Sequence, residues 1–214
     1  MFYIYNVKFM PVSTPIKEDD IQAQILQAAK HLFQVYGFRK VTIDDIAKAI
    51  GKARSSLYYY YKTKEEILDA VIAAEIRELL AAIVAAVNQA QGAELQIKAF
   101  FITKLQVISK KRTFFNSLDA GMDAQEMSSY NKTRISIHQH IIQREGALLN
   151  QIISDGISKE ELKPLNKTEK EDLIFVLLSC LHGIKREMVI KDDFSGISSS
   201  VNILTRSVIH GLKN

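Results

Sequence analysis

An all-α fold is predicted for this chain, with a small three-helix head at the N-terminus and a larger helical body behind it. Three observations predict it. Apolar residues recur at steps of three and four along most of the sequence, which places them on one side of a helix. Only nine glycines and three prolines occur in 214 residues, too few for the many tight turns of a β-sandwich. No stretch alternates Val, Ile and Thr with polar residues, the mark of a half-buried strand. Apolar residues make up 47% and charged residues 24%, a globular mixture and not a disordered one.

The first helix is expected to open at Asp19 or Asp20, both good N-caps. Its apolar stripe is Ile25, Leu26, Ala29, Leu32, Phe33 and Tyr36, and Gly37 supplies the stop. Thr42 caps a short second helix, with Asp45 placed three residues on to complete a capping box. Ile43, Ile46, Ala47 and Ile50 give that helix its apolar face, and Gly51 ends it. A third short helix runs from about Ala53 to Tyr60. Two short helices joined at a glycine, anchored by Ile46, Ala47, Ile50 and Leu57, match a helix-turn-helix.

Thr63 to Glu66 reads as a second capping box. It opens a long helix through Ile67, Val71, Glu75, Leu79, Ile83 and Val87 that fades before Gly92. Further helices are expected near 93–110, 111–120, 128–155, 167–191 and 197–213. Gly156 is expected to terminate the long one, Asn166 or Thr168 to cap the next, and the loop from Asp192 to Gly196 to separate the last two. The organisation predicted is an N-terminal extension over 1–18, a head over 19–64 and a body over 65–214.

Charge is distributed unevenly. Residues 1–64 carry ten Lys/Arg and five Asp/Glu, while the rest of the chain is close to neutral. Most of the excess lies between Arg39 and Lys64, which suits a head that meets a polyanion. The longest apolar run, Leu79 to Val87, has nine residues, less than half of the ~20 that a membrane-spanning helix needs. MFYIYNVKFM at the start lacks the basic region and cleavage site of a signal peptide. The single Cys180 excludes a disulfide framework and a cysteine-based zinc site. The expected setting is cytoplasmic, with no membrane partner and no cofactor.

The gap-free stretch from Ile25 to Ile67 resembles the DNA-binding head of TetR-family transcriptional regulators. The resemblance rests on Gly37, Phe38, Thr42, Ile43, Asp45, Ile46, Ala47, Gly51, Leu57, Tyr58, Tyr60, Tyr61, Thr63, Lys64 and Glu65. It covers about forty residues; beyond them the chain resembles the family in length and helical character. Ala53 departs from the Ser or Thr common there, and Lys62 from a frequent proline.

The third helix has the chemistry for a major groove. Lys52, Ala53, Arg54, Ser55 and Ser56 are short or basic. Arg54 has the fork to donate two hydrogen bonds to a guanine edge. Tyr58, Tyr59 and Tyr60 offer phenolic donors to phosphates. The resemblance implies backbone contacts for Tyr58 and Lys64, a phosphate at the helix end capped by Thr42, and a buried Tyr61.

One recognition helix makes too few contacts for operator affinity, so two copies about one helical turn apart are expected. Leu173, Phe175, Val176, Leu178, Ser179 and Gly183 on one helix, with Val201, Leu204, Val208 and Leu212 on the last, form the candidate homodimer interface. The resemblance implies a four-helix interface at that place. It also implies an effector pocket in residues 93–145, for which Phe100, Phe101, Phe114, Phe115, Met122, Met127, Tyr130 and His138 are the candidates.

No nucleotide-binding glycine loop, P-loop or serine-hydrolase elbow is present. His138 and His140 stand two apart on a helix, poor spacing for a metal. The function predicted is a ligand-responsive DNA-binding transcriptional regulator, a repressor released from its operator by a small hydrophobic effector. The rival readings are a helical protein-interaction module and an enzyme working in the body cavity.

Overall fold

The computed structural model describes residues 16–119 and 122–213 of the chain, so most of the 1–18 extension lies outside the described residues. Eight helices fill the described part: α1 (Ile16–Tyr36), α2 (Ile43–Ala49), α3 (Arg54–Tyr60), α4 (Lys64–Gln89), α5 (Ala93–Asp119), α6 (Ala124–Ser158), α7 (Lys167–Ile190) and α8 (Ile197–Leu212). No strand occurs among the described residues.

Two apolar cores run through the molecule. The head core gathers Ile25, Ala29 and Phe33 of α1, Ile46 and Ala47 of α2, and Leu57 of α3. It continues into Ile67, Leu68, Val71 and Ile72 of α4, and into Phe114, Leu118 and Tyr130 from α5 and α6. The head is therefore seated on the body through shared apolar packing. The body core holds Ile83 and Val87 of α4, Ile97, Phe100, Phe101 and Leu105 of α5, Leu149 and Ile153 of α6, Leu177 and Leu181 of α7, and Val201 and Ile209 of α8. Helix α5 is the hub, since it packs on α1, α4, α6 and α8, while α7 packs on α6.

Four boundaries differ from the sequence expectation. Helix α1 begins at Ile16, before Asp19 and Asp20. Acids favour a helix's first turn through its dipole as much as they favour the cap itself, so they do not mark the first residue. The segments expected at 93–110 and 111–120 are one helix, α5, because neither glycine nor proline interrupts it. Helix α6 starts early, at Ala124. Asp123 caps it by accepting from the Gln125 and Glu126 amides, each at 2.9 Å, and Glu126 returns the bond to the Asp123 amide.

The fourth difference concerns Gly156, which lies inside α6 and does not end it. The termination is a Schellman turn in which the Glu161 amide donates to the Gly156 carbonyl at 2.9 Å and the Glu160 amide to that of Ile157 at 3.0 Å. Glu160 itself takes the left-handed conformation, φ 58°, a place usually given to glycine. Glycine is required at 156 for a different reason. A Cβ there would lie 2.8 Å from the Ala93 Cβ and 3.0 Å from Leu162 Cδ1. The bare backbone lets α6 close on the start of α5, where Glu161 Oε2 accepts from the Ala93 amide at 2.6 Å.

Candidate nucleic-acid interface

The turn between α2 and α3 is built by backbone hydrogen bonds around one glycine. The Lys52 amide donates to the Ala47 carbonyl at 2.9 Å, and the Gly51 amide to that of Lys48 at 3.1 Å. This Schellman pair needs a left-handed residue between α2 and Lys52, and Gly51 supplies it at φ 66°. The chain leaves α2 in a fixed direction and starts α3 three residues later.

Helix α3 is held down by Leu57, which is 0% exposed. One helix face is thereby sealed against the head core, and the residues away from it point outward. Lys52, Ala53, Arg54 and Ser55 are exposed, Ser56, Tyr58 and Tyr60 are half-buried, and Tyr59 is 71% exposed. The Tyr59 ring meets that of Tyr60 edge-on at 5.1 Å. Tyr61 is buried, and its hydroxyl accepts from Gln22 Nε2 at 2.8 Å, which ties α3 to α1.

Several expected contact residues have partners within the chain. Arg54 does not stand free. Its Nη1 donates to Asp44 Oδ2 at 3.0 Å, and its Nη2 and Nε donate to the Tyr58 hydroxyl at 2.7 and 3.1 Å. The hydrogen bonds to Tyr58, and then the charge of Asp44, hold its pKa above the ordinary arginine value. The fork predicted to read a guanine is thus prepaired, and α2 sets its direction. The Thr42 hydroxyl is used by the capping box of α2, donating to Asp45 Oδ2 at 2.7 Å and accepting from the Asp45 amide at 3.2 Å. The Thr42 hydroxyl and the Thr42 amide, both donating to Asp45 Oδ2, hold that carboxyl below its usual range.

Lys64 is turned inward. Its Nζ donates to the Phe38 carbonyl at 2.9 Å and lies 4.1 Å from the centre of the Phe38 ring. Bonds to the Phe38 carbonyl and, at 3.5 Å, the Arg39 carbonyl, with the cation–π contact, engage the ammonium expected at a phosphate. The second capping box is also only half formed. Thr63 Oγ1 accepts from the Glu66 amide at 3.1 Å, but Glu66 Oε2 accepts from the Lys62 amide at 2.6 Å, one residue further out.

Sequence reasoning missed Asp44, whose role depends on a contact between α2 and α3. It also left out Arg39, Lys40, Lys48 and Lys62, all exposed around the same two helices. The positive excess between Arg39 and Lys64 is the signal that points to them.

Residues 25–71 match the family model described as bacterial regulatory proteins, tetR family. That segment, the head and the start of α4, matches the TetR family. The chain is 37% identical over 54 residues to the HTH-type transcriptional regulator EthR of Mycolicibacterium smegmatis, a match that spans 25% of each chain. It is 36% identical over 62 residues to the uncharacterized HTH-type transcriptional regulator YfiR of Bacillus subtilis, over 29% of this chain and 30% of that one. The match therefore spans only about a quarter of the length of these curated relatives.

The whole fold is shared more widely. A TetR transcription regulator from Haloarcula marismortui superposes with a TM-score of 0.65 at 18% identity, over 92% of this chain and 100% of that one. The fatty acid degradation regulator FadR from Bacillus halodurans gives 0.63 at 18% identity, over 92% of this chain and 96% of that one. At such identities the likeness is one of fold.

Among the described residues the eight effector candidates are spread over two cores and the surface. Phe100 and Phe101 are 0% exposed inside the body core. Phe114, Phe115 and Met127 pack on the head core. Met122 and Tyr130 line a cavity of about 280 Å³ between head and body, together with Phe38, Leu68, Asp69 and Thr133. His138 lies at the surface, its ring 5.4 Å from that of His182. An aromatic stripe at helical spacing fills a core by the same chemistry that would line a cavity, which is why the sequence grouped these residues.

The dimer candidates also divide. Phe175 is 71% and Val176 48% exposed, and Ser179 and Gly183 are exposed beside them on the outer face of α7. Leu178 and Val201 are buried in the body core and have no surface left for a partner. Leu173, Leu204, Val208 and Leu212 are half-buried and pack against that core. Ile203, absent from the candidate set, is 66% exposed on α8. No helix among the described residues is long and apolar enough to cross a membrane.

Proposed function

We propose that this chain is a ligand-responsive DNA-binding transcriptional regulator that works as a homodimer in the cytoplasm and is not an enzyme. The observation that carries the reading is the family match over the head, joined to a third helix whose buried Leu57 leaves Arg54, Ser55 and Tyr59 outward. DNA contact is assigned to Lys52, Ala53, Arg54, Ser55, Ser56, Tyr58, Tyr59 and Tyr60, with Arg54 reading a base after exchanging Asp44 for a guanine edge. The 19–64 unit acts as reader and 65–214 as sensor, although the two share packing.

Pairing is assigned to the outer faces of α7 and α8, where Phe175, Val176 and Ile203 are exposed apolar residues that a second copy would cover. The protein acts as a repressor, and a small apolar effector binding in the body favours a head spacing that no longer fits the operator. A shift of that kind needs only a few kcal/mol of differential affinity between the two states.

The test is an electrophoretic shift on the chain's own upstream region against random duplex at two salt concentrations. Tighter binding to the upstream region, weakened by salt, supports the reading. Equal binding to both duplexes overturns it.

A further inference from the structure

A polar cluster lies within the body where α5, α6 and α7 meet, away from the head. Lys104 of α5 and Glu145 of α6 are 4% and 0% exposed. Lys104 Nζ donates to Glu145 Oε2 at 2.6 Å and stands 3.4 Å from His182 Nε2 of α7. Half-buried Lys185 follows one turn along α7, and exposed His138 and Arg134 flank the cluster on α6.

The cluster is unfinished at two points. The first is charge. Lys104 already neutralises Glu145, and Lys185 feels that same carboxylate as its attractive neighbour while Arg134 repels it. No carboxylate among the described residues lies within ion-pair reach of Lys185. Burial pushes the Lys185 ammonium below its usual range against the pull of Glu145, and burial with the charges of Lys104 and Lys185 pushes His182 down to about 4. The second is a hydrogen bond. Glu145 Oε1 is fully buried and has no donor among the described residues, which costs about 1–3 kcal/mol for a polar group and more for a charged one.

One kind of molecule completes both. It must bring negative oxygens for the cations and an O–H of its own for the carboxylate. Sulfate brings the oxygens without the proton, and a carboxylate likewise lacks the donor. A phosphate in its singly protonated form has both, and its second pKa near ~6 keeps that form populated close to neutrality.

We propose that the Lys104–Glu145–His182–Lys185 cluster is a site for a protonated phosphate group, either free phosphate or the head of a phosphomonoester. Lys185 and His182 meet the phosphate oxygens, and the phosphate hydroxyl donates to Glu145 Oε1. That this group is the recognised end of the effector rests on the regulator reading; the binding itself does not.

The experiment is isothermal titration of the full chain, without DNA, at pH 6.5 and constant ionic strength. The probes are inorganic phosphate, sulfate and glycerol phosphate. Phosphate is expected to bind at least tenfold more tightly than sulfate. Glycerol phosphate binding more tightly than phosphate identifies an ester as the occupant, and the reverse identifies the free ion. Lys185→Gln, at a half-buried position, is expected to lose phosphate binding by tenfold or more while keeping the wild-type melting temperature. Glu145→Gln is expected to reduce the preference for phosphate over sulfate to about one, and its fold is checked by circular dichroism.

Absence of phosphate binding, equal binding of sulfate, or unchanged binding by Lys185→Gln each overturns the proposal. Because no DNA is present, those outcomes are separate from a failure of the operator test.

Discussion

Lys30 on α1 and Glu75 on α4 meet with Nζ and Oε1 2.5 Å apart, although Glu75 is only 3% exposed. The other carboxylate oxygen of Glu75 accepts from Lys111 of α5 at 2.6 Å, and Lys111 also reaches Glu78 at 2.6 Å. Burial disfavours the charge of Lys111, but its hydrogen bonds to Glu75 and Glu78 outweigh that and hold its pKa above the ordinary lysine value. One buried carboxylate therefore pins the first helix of the head, the connecting helix and the hub of the body. Any rotation of the head about α4 must stretch these bonds.

Replacing Glu75 with Gln leaves two ammonium groups facing a neutral amide. Removing one partner of a buried pair costs about 3–5 kcal/mol. Half-exposed Lys30 can turn to water, so about 2–3 kcal/mol is the expected loss. Urea denaturation read by circular dichroism measures it, and a midpoint equal to the wild type's would contradict the pinning.

Arg54 is shared between a duplex and Asp44. Asp44→Asn removes its counter-ion and one negative charge from the DNA-facing side, so affinity for DNA is expected to rise several-fold. Arg54→Ala is expected to lower affinity and to relax preference at a single base position. Fluorescence anisotropy on a set of operator variants reads both; weaker binding by Asp44→Asn would mean that the ion pair serves the bound state.

Lys64→Ala is expected to act mainly on stability. It removes the donor to the Phe38 carbonyl and the cation over the Phe38 ring, together worth about 1–2 kcal/mol. A lower melting temperature with an unchanged salt slope of DNA binding is the expected result. A slope reduced by about one would place Lys64 on a phosphate after all.

Two glycine exchanges near one turn should have opposite effects. Gly156→Ala drives a Cβ to within 2.8 Å of that of Ala93, and such overpacking costs about 1–3 kcal/mol. Glu160→Gly relieves a left-handed residue and is expected to stabilise by about 0.5–1 kcal/mol. Denaturation midpoints of both variants against wild type check the pair.

His182 gives stability a pH dependence. The folded chain holds it at about 4 against an ordinary 6.5, so between those values the unfolded chain binds a proton that the folded one does not. Stability rises with pH across that interval, is fully present above about 6.5, and is lost as pH falls toward about 4. His182→Gln should flatten the slope, as denaturation at pH 5 and pH 7 would reveal.

The head was legible in the sequence because its determinants are local. Gly37 and Gly51 end helices, Thr42 and Asp45 cap one another, and Leu57 follows at the right step to face the core, all within a few residues of chain. Local signals failed where two meanings share one residue type. Gly156 reads as a stop and serves as a close contact with Ala93, and Lys64 reads as a phosphate ligand and bonds to the Phe38 carbonyl.

By itself, the sequence determined the all-α class, the helix-turn-helix, the family resemblance and the positive excess near Arg39–Lys64, since helical periodicity, turn chemistry and charge are written along the chain. Only the tertiary structure decided which polar groups meet. Glu75 finds Lys30 and Lys111, Arg54 finds Asp44, and Lys104 finds Glu145 and His182, because helices distant in sequence pack side by side. It also separated buried Phe100 and Val201 from exposed Phe175 and Ile203. An apolar residue at helical spacing carries no mark of which neighbour will cover it, and that depends on the packing of whole helices.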